Sequence, residues 1–224
     1  MTQTGVIFDV DGTLADTNYL HVVSWARAFR ETDENVAMSD IHRLIGMGSD
    51  LLVEELLGHP NDDAADAHTK LFEDLMPEIR AFPRAGDLLA EVHRRGAIVA
   101  LASSASESQL EAMLEAIAAP DGTIDHVTGA DDVDHSKPEP DVFKAALEAT
   151  GLDPTDAIVV GDTVWDIKAA AKVGLKVVGV VTGGISRQEL EEAGAIAVYD
   201  DVAQLLDELD DSPLARLLQA PTTP

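Results

Sequence analysis

The sequence contains no cysteine among its 224 residues. This absence excludes disulfides, thiolate zinc sites, iron–sulfur clusters and cysteine nucleophiles. No apolar run approaches the roughly 18 residues that a membrane-spanning helix needs. The amino terminus also lacks a basic segment followed by an apolar one, which is the pattern of a secretion signal. We therefore expect a cytoplasmic protein that does not span a membrane.

Positive charge is scarce as well. The chain has 15 lysine and arginine residues against 42 aspartate and glutamate residues, and its formal net charge is −27. A field of this sign repels nucleic acid and anionic lipid, so neither is an expected partner. A surface this acidic suits a salt-rich environment, but a GC-rich genome gives a similar composition, and the sequence leaves both origins open.

Short apolar segments alternate with helical patterns along most of the chain. This alternation predicts an α/β fold with a doubly wound parallel sheet. The apolar segments lie at residues 5–10, 97–102, 157–160 and 176–181, with shorter ones near residue 127 and at 196–198.

A long helical region interrupts the alternation after the first apolar segment. Large apolar residues recur there at three- to four-residue spacing, with breaks at residues 32–40, 46–48 and 58–61. We interpret residues 16–81 as an inserted helical cap domain and residues 1–15 with 82–212 as the core domain. Residues 213–224, rich in proline and threonine at their end, are expected to fray.

Polar residues follow three of the predicted strands. Asp9 and Asp11 come after the first, Ser103 after the second, and Asp162 after the strand at 157–160. In doubly wound sheets, ligands bind outside the carboxyl ends of the strands. The sequence therefore predicts that these side chains converge on one crevice.

The stretch Asp9-Val-Asp-Gly-Thr carries the clearest chemical signal. Two carboxylates two residues apart, on a chain that leaves its strand, can take different roles, and Gly12 permits a tight turn whose backbone N–H groups meet an anion. The same tripeptide recurs at residues 132–134, where it neither follows a buried strand nor precedes Gly-Thr. We interpret that copy as loop.

The other motifs are ambiguous one by one. Ser103 can bind an oxyanion or cap the helix that follows. Lys137, between Ser136 and Pro138, is either a fixed cation or a solvated loop residue. Asp162 and Asp166 can face one cation or act as ordinary acids at a helix start.

Together and in this order, the four motifs resemble those of the haloacid dehalogenase-like superfamily, and the insertion is similar to its small helical cap of the first type, as in its phosphoglycolate phosphatase and β-phosphoglucomutase group. The resemblance covers the chain to about residue 209. It implies that Asp9 is a nucleophile that takes a phosphoryl group, and that Asp11 is the general acid/base. The phosphate-binding residues it predicts are Gly12, Thr13, Ser103, Ser104 and Lys137, and the ligands of Mg²⁺ are Asp9, Asp11, Asp162 and Asp166.

The chemistry fits these roles. A carboxylate cannot approach a phosphate dianion unless its charge is neutralised, which Mg²⁺ and Lys137 would do. Oxygen ligands suit Mg²⁺. We expect a Mg²⁺-dependent phosphomonoesterase that acts on a small phosphorylated metabolite through an aspartyl phosphate on Asp9.

Other chemistries of the superfamily fit less well. Dehalogenases typically lack the second aspartate, which is present here as Asp11, and phosphonatases need a cap lysine near the first motif, whereas the first lysine of this chain is Lys70. Mutases that resemble β-phosphoglucomutase carry an arginine after the cap-loop glycine and a lysine after the second motif, both missing here. A mutase remains the alternative, and a non-enzymatic divalent-cation binder is a remote one.

The cap is expected to select the substrate. His21, Arg43 and the turn formed by Gly46, Met47 and Gly48 are the candidate specificity residues. Each also has an ordinary explanation: His21 can be a helix-face residue and Arg43 a solvated one.

Overall fold

The structure is a computed structural model that describes residues 3–133 and 135–218. Its centre is a six-stranded sheet in the order β3-β2-β1-β4-β5-β6, and every pair of neighbours is parallel. This confirms the predicted α/β fold with a doubly wound sheet. The strands are β1 (Gly5–Phe8), β2 (Ile98–Ala102), β3 (His126–Thr128), β4 (Ala157–Gly161), β5 (Lys176–Val180) and β6 (Ala197–Tyr199).

The central strands β1, β2 and β4 are apolar throughout because both faces of the sheet are covered. Successive residues of β1 alternate between two hydrophobic clusters: Val6 and Phe8 belong to one, and Ile7 to the other. The chain runs from β1 to β2 and β3 on one side, then returns to β4 on the other side of β1. The order therefore reverses between β1 and β4, the position where ligands bind in such sheets.

The first four helices form the insertion. They are α1 (Asn18–Glu31), α2 (Met38–Leu44), α3 (Ser49–Leu57) and α4 (Asp62–Glu73). The loops between them overlap the three predicted breaks, but α2 begins at Met38, inside the first break, which was predicted at 32–40. Their apolar faces surround a hydrophobic cluster of their own, built around Trp25, Phe29, Ile41 and Leu52. The division into core and cap domains at residues 16 and 81 stays a prediction, and this separate cluster supports it.

Two antiparallel segments join the insertion to the sheet. Ala15 forms a bridge with Ala81, Asp16 N–H donates to Arg80 O at 2.8 Å, and Phe82 N–H donates to Leu14 O at 2.9 Å. The chain therefore leaves the sheet domain and returns to it at one place.

The remaining helices cover the sheet. One face is packed by α5 (Ala85–Arg94), α6 (Glu107–Ile117) and α10 (Val202–Asp207). The other is packed by α7 (Asp141–Thr150), α8 (Val164–Lys172) and α9 (Arg187–Ala193). Among the described residues, no helix is both long and apolar enough to cross a membrane.

The predicted frayed tail is wrong for its first residues. Pro213–Leu217 forms a 3-10 helix that buries Leu214 and Leu217. Ser212 Oγ accepts from Leu214 N–H at 3.2 Å, and Thr4 Oγ1 donates to Leu217 O at 2.6 Å. The two leucines supply apolar surface that the terminal prolines and threonines obscured in the composition. Residues 219–224 lie outside the described residues.

Candidate active site

The polar residues at the strand ends meet in one crevice, as predicted. Asp9 follows β1, and Asp162 follows β4, beside it. Thr13 Oγ1 links the two, because it lies 3.1 Å from Asp9 Oδ2 and donates to Asp162 Oδ1 at 2.9 Å. Ser103, after β2, donates from Oγ to Asp11 Oδ2 at 3.3 Å.

Three buried carboxylates form a compact group within this crevice. One oxygen each from Asp9, Asp162 and Asp166 lies within 4.8 Å of the others. Asn18 Nδ2 donates to Asp162 Oδ2 at 2.9 Å, and the N–H and hydroxyl of Thr163 donate to Asp166 Oδ2 at 3.1 and 2.6 Å. Backbone and side-chain donors therefore fix the orientation of the carboxylates at the β4–α8 junction.

Lys137 balances only part of the negative charge of these three carboxylates. Lys137 is buried, and its Nζ contacts Asp9 Oδ1 and lies 2.7 Å from Asp166 Oδ1. Burial lowers the pKa of Lys137, but Asp166 and Asp9 outweigh it and hold that pKa above its usual value. Burial, despite Lys137 and with help from Asp166, raises the pKa of Asp9 to about 7. Burial and the charges of Asp9 and Asp166 raise the pKa of Asp162 well above its usual value.

A divalent cation fits this arrangement. Lys137 contacts two of the three carboxylates, so negative charge remains in excess in a buried place. Burial, together with the neighbouring carboxylates, raises the pKa values of Asp9 and Asp162. The donor set consists of oxygen atoms, which suits a hard cation such as Mg²⁺.

Asp11 lies apart from this group. Its Oδ1 accepts from Thr17 Oγ1 at 2.9 Å and lies 3.1 Å from His21 Nε2. Burial raises the pKa of Asp11, but the hydrogen bonds from His21 and Thr17 outweigh burial, so the pKa falls below its usual value. Two carboxylates two residues apart therefore have opposite pKa shifts without a metal, which shows that they lie in different environments.

Two predicted phosphate-binding residues lie beneath the carboxylates. The N–H groups of Gly12 and Thr13 donate to the backbone oxygens of Ala15 and Val10, and neither residue lines the cavity above. The structure therefore does not bring them to a phosphate, and the prediction of direct contact is not supported. Gly12 has φ +71°, and a Cβ there would lie 2.4 Å from Asp162 Oδ2, so its role is to let the loop pass beneath Asp162.

Ser103 and Ser104 differ in their surroundings. Ser103 is fully buried, accepts from Ala105 N–H at 3.0 Å and does not line the cavity. Ser104 lines the cavity, and its buried Oγ has no hydrogen-bond partner among the described residues. Ser104 therefore has the free hydroxyl that a phosphoryl oxygen needs, and Lys137 lines the same cavity.

A cavity of about 530 Å³ lies between the sheet and the inserted helices. Its floor contains Asp9, Asp11, Lys137, Asp162 and Asp166. The helical side contributes residues of α1, α3 and α4 and of the loops beside them.

Four of the five predicted specificity residues line this cavity: His21, Gly46, Met47 and Gly48. The turn touches the sheet domain closely, because a Cβ on Gly46 would lie 2.9 Å from Thr163 Cγ2 and one on Gly48 2.5 Å from Ser136 Cβ. Gly48 N–H also donates to Lys137 O at 3.2 Å.

The prediction for Arg43 is wrong. Its side chain is exposed, and its NH1 lies 2.7 Å from Glu189 Oε1 on α9, outside the cavity. The helix α2 turns Arg43 toward the sheet domain's surface while it buries Ile41 in the cluster of the inserted helices.

Sequence reasoning missed two residues. Asn18, which holds Asp162, has no distinguishing local pattern. His68 lines the cavity, and its Nε2 lies 3.3 Å from His21 Nδ1. Its position was detectable, because Ala64, His68 and Phe72 form a buried stripe at i, i+4 and i+8 on α4.

The parallel sheet, the strand-end aspartates and the helical insertion together define a haloacid dehalogenase-like hydrolase. The family model described as haloacid dehalogenase-like hydrolase matches residues 6–180, and the chain belongs to that family. The prediction of a hydrolase of this family is confirmed.

Individual relatives agree with this assignment. The chain is 31% identical to a phosphoglycolate phosphatase of Rhodospirillum rubrum, over 90% of this chain and 89% of that protein. It is similar to the crystal structure of a hydrolase from Pseudomonas syringae, with 34% identity and a TM-score of 0.87, over 93% of this chain and 99% of that one. It is also similar to a mutant of CbbY from Rhodobacter sphaeroides in complex with xylulose-(1,5)bisphosphate, with 28% identity and a TM-score of 0.76, over 91% and 96% of the two chains.

Proposed function

We propose that this protein is a Mg²⁺-dependent phosphomonoesterase that hydrolyses a small phosphorylated metabolite, with Asp9 as the nucleophile. The observation that carries the proposal is the contrast between Asp9 and Asp11. Asp9 belongs to a buried carboxylate group with Lys137, whereas Asp11 belongs to a separate hydrogen-bond network, and both line one cavity. The names of the relatives, a phosphoglycolate phosphatase and a CbbY that binds a sugar bisphosphate, support this class of substrate.

The side chains of Asp9, Asp162 and Asp166 would hold Mg²⁺, and the family resemblance adds the backbone oxygen of Asp11. When bound, Mg²⁺ neutralises charge on the carboxylates and on the phosphate, so that the two anions can approach each other. Lys137 supplies a further positive charge at the same point, and Ser104 Oγ donates to a phosphoryl oxygen.

Two displacements at phosphorus complete the reaction. A carboxylate oxygen of Asp9 bonds to phosphorus as the bond from phosphorus to the alcohol oxygen breaks, and Asp11 gives its proton to that oxygen. Water then bonds to phosphorus and releases the Asp9 carboxylate, while Asp11 takes the proton of the water.

The pKa of Asp11 must suit both steps. Hydrogen bonds from His21 and Thr17 hold it low in the structure, which favours the ionised form that activates water. A phosphate dianion beside Asp11 would raise that pKa, because a like charge disfavours ionisation. That shift makes the protonated form required in the first step more accessible while substrate is bound.

Release of inorganic phosphate from p-nitrophenyl phosphate tests the proposal. We expect turnover with Mg²⁺, loss of turnover in excess chelator, and recovery when Mg²⁺ is returned in excess. Full activity in chelator would contradict the metal requirement. Isomerisation of a sugar phosphate without phosphate release would support the mutase alternative, and Mg²⁺ binding without turnover of any ester would support a cation binder.

A further inference from the structure

As far as the structure describes the chain, the helical wall of the cavity contributes no lysine or arginine, and His21, one of its two histidines, is already engaged by Asp11, with Nε2 3.1 Å from Oδ1. Among the described residues that line the cavity, Lys137 on the sheet side is the one lysine or arginine. The helical wall instead contributes three carboxylates, Asp50, Glu54 and Asp62. Arg43, the candidate cation of this wall, is paired with Glu189 elsewhere.

The rest of the helical wall is apolar or neutral. Ile45, Leu52 and Val53 line it, and His68 stacks on Trp25 with ring centroids 4.0 Å apart. Burial and the neighbouring His21 hold the pKa of His68 well below its usual value, so His68 is uncharged at neutral pH. The wall therefore offers apolar surface close to carboxylates.

The lysine of the floor is not available for a second anion. Lys137 already contacts Asp9 and Asp166, and the phosphoryl group of the substrate would compete for the same ammonium. A carboxylate or a second phosphate in the alcohol part of a substrate would then face three acidic side chains with no lysine or arginine of the described helical wall to balance its charge. These carboxylates are exposed, so solvent reduces the repulsion but does not abolish it at short range.

We propose that the inserted helices select phosphate monoesters whose alcohol part carries no negative charge, either a neutral alcohol or one that bears an ammonium group. This inference rests on the proposed function and concerns the substrate class of the same site. It separates this protein from enzymes whose substrates carry a carboxylate or a second phosphate beside the ester.

Three esters with the same two-carbon skeleton test the inference. They are 2-phosphoglycolate with a carboxylate, 2-hydroxyethyl phosphate with a hydroxyl, and O-phosphoethanolamine with an ammonium group. We expect kcat/KM with Mg²⁺ to be about fivefold or more higher for the last two than for phosphoglycolate, because like charges repel at short range even in solvent-exposed surroundings.

Each outcome is decisive. Turnover of phosphoglycolate equal to or faster than that of the other two would overturn the inference. Absence of turnover for all three esters while p-nitrophenyl phosphate is hydrolysed would also overturn it, because charge would not then be the discriminating property. Failure to hydrolyse any of the four would instead contradict the proposed function.

Two matched variants on α3 locate the effect. Glu54 and Glu55 are both exposed, but Glu54 lines the cavity and Glu55 does not. Glu54→Lys is expected to raise kcat/KM for phosphoglycolate about tenfold relative to 2-hydroxyethyl phosphate. Glu55→Lys is expected to leave that ratio within about twofold, because its charge lies outside the cavity, where solvent and salt separate it from the substrate. Equal shifts in both variants, or no shift in Glu54→Lys, would show that the charge of this wall does not select the substrate.

Discussion

The two walls of the cavity, formed by the strand ends of the sheet and by the inserted helices, hold different kinds of side chain. The sheet wall holds charged groups that are almost completely buried: Asp9, Asp162, Asp166 and Lys137 are each at most 5% exposed. The helical wall holds apolar side chains, uncharged His68, and carboxylates that remain in contact with solvent. Under the proposed function, the catalytic groups would belong to the strand ends and the substrate-selecting groups to the faces of the inserted helices.

The two walls also differ in how the rest of the structure holds them in place. The strand ends continue a parallel sheet whose core side chains are fully buried, so the positions of the charged groups depend on the whole sheet domain. Outside the joining segments, the inserted helices make polar contacts with the sheet domain. His42 Nε2 donates to Gly183 O at 2.8 Å, and Arg43 forms an exposed ion pair with Glu189. We expect the helices to move more readily than the sheet.

Asp9→Asn should have the largest effect of any single change, because the amide keeps the shape but is a poor nucleophile. We expect kcat to fall on the order of 10⁴-fold or more, with circular dichroism and the unfolding transition showing a folded protein. The matched control is Asp16→Asn, an exposed aspartate of the same loop. Near-normal turnover by Asp9→Asn would contradict the assignment of the nucleophile to the sheet wall.

Asp11→Asn should have the next largest effect, because it removes the proton transfer but leaves the nucleophile. We expect a loss of about 10²–10⁴-fold in kcat. The loss of kcat/KM, which reports the first displacement, should be smaller for an ester whose leaving group needs no proton, so p-nitrophenyl phosphate and an alkyl phosphate are compared. An equal loss of kcat/KM for both esters would remove Asp11 from its role as general acid.

The buried carboxylates predict a pH dependence of stability. The pKa of Asp9 rises from 3.8 to about 7 on folding, so the free energy of unfolding of metal-free protein should fall as pH rises through that window, by on the order of a few kcal/mol. Chemical denaturation at pH 5 and pH 7.5 measures the slope.

Two comparisons assign that slope to the site. Asp9→Asn should flatten it, while the acidic surface, unchanged in the variant, retains its own contribution. Mg²⁺ should stabilise the wild type more at pH 7.5 than at pH 5, because the ligands must be ionised. A slope that is identical in wild type and Asp9→Asn would mean that Asp9 is not the buried group that titrates.

Arg43→Ala should have the smallest effect, because Arg43 contacts Glu189 outside the cavity. An exposed ion pair contributes about 0–1 kcal/mol, and we expect kcat/KM to change less than about twofold for every ester. His21→Ala, in the same group of helices, is the contrast: it removes a contact with Asp11 and should lower kcat on the order of tenfold. A change of ester preference in Arg43→Ala would restore its predicted role in specificity.

The sheet wall could be predicted because its pattern is local. A buried strand followed by a polar residue identified Asp9, Ser103 and Asp162, and parallel strands bring their carboxyl ends together without further information. The choice between two neighbouring residues was harder to predict. Whether Ser103 or Ser104 faces the cavity depends on the turn after β2, and that turn directs Ser103 Oγ to Asp11 and Ala105 instead.

The helical wall could be predicted only in part because its contacts are non-local. Periodicity gave the helices, but the side of α2 that faces the cavity depends on how the helices sit against the sheet. Arg43 therefore remained a plausible cavity residue until its distance to Glu189 was known. The pairing of His21 with His68 joins residues of α1 and α4, and no local pattern encodes such a pair.

The antiparallel contact between Ala15 and Ala81 has a consequence for how new variants of this molecule arise. Its two chain segments form a single antiparallel bridge outside the six strands, so a replacement segment whose ends meet at that spacing would leave the strand order unchanged. A short turn between the two alanines would also connect the two chain segments. A longer insert would place different side chains above the same carboxylates. In this sense the sheet would keep its carboxylates while the segment that covers them is replaced.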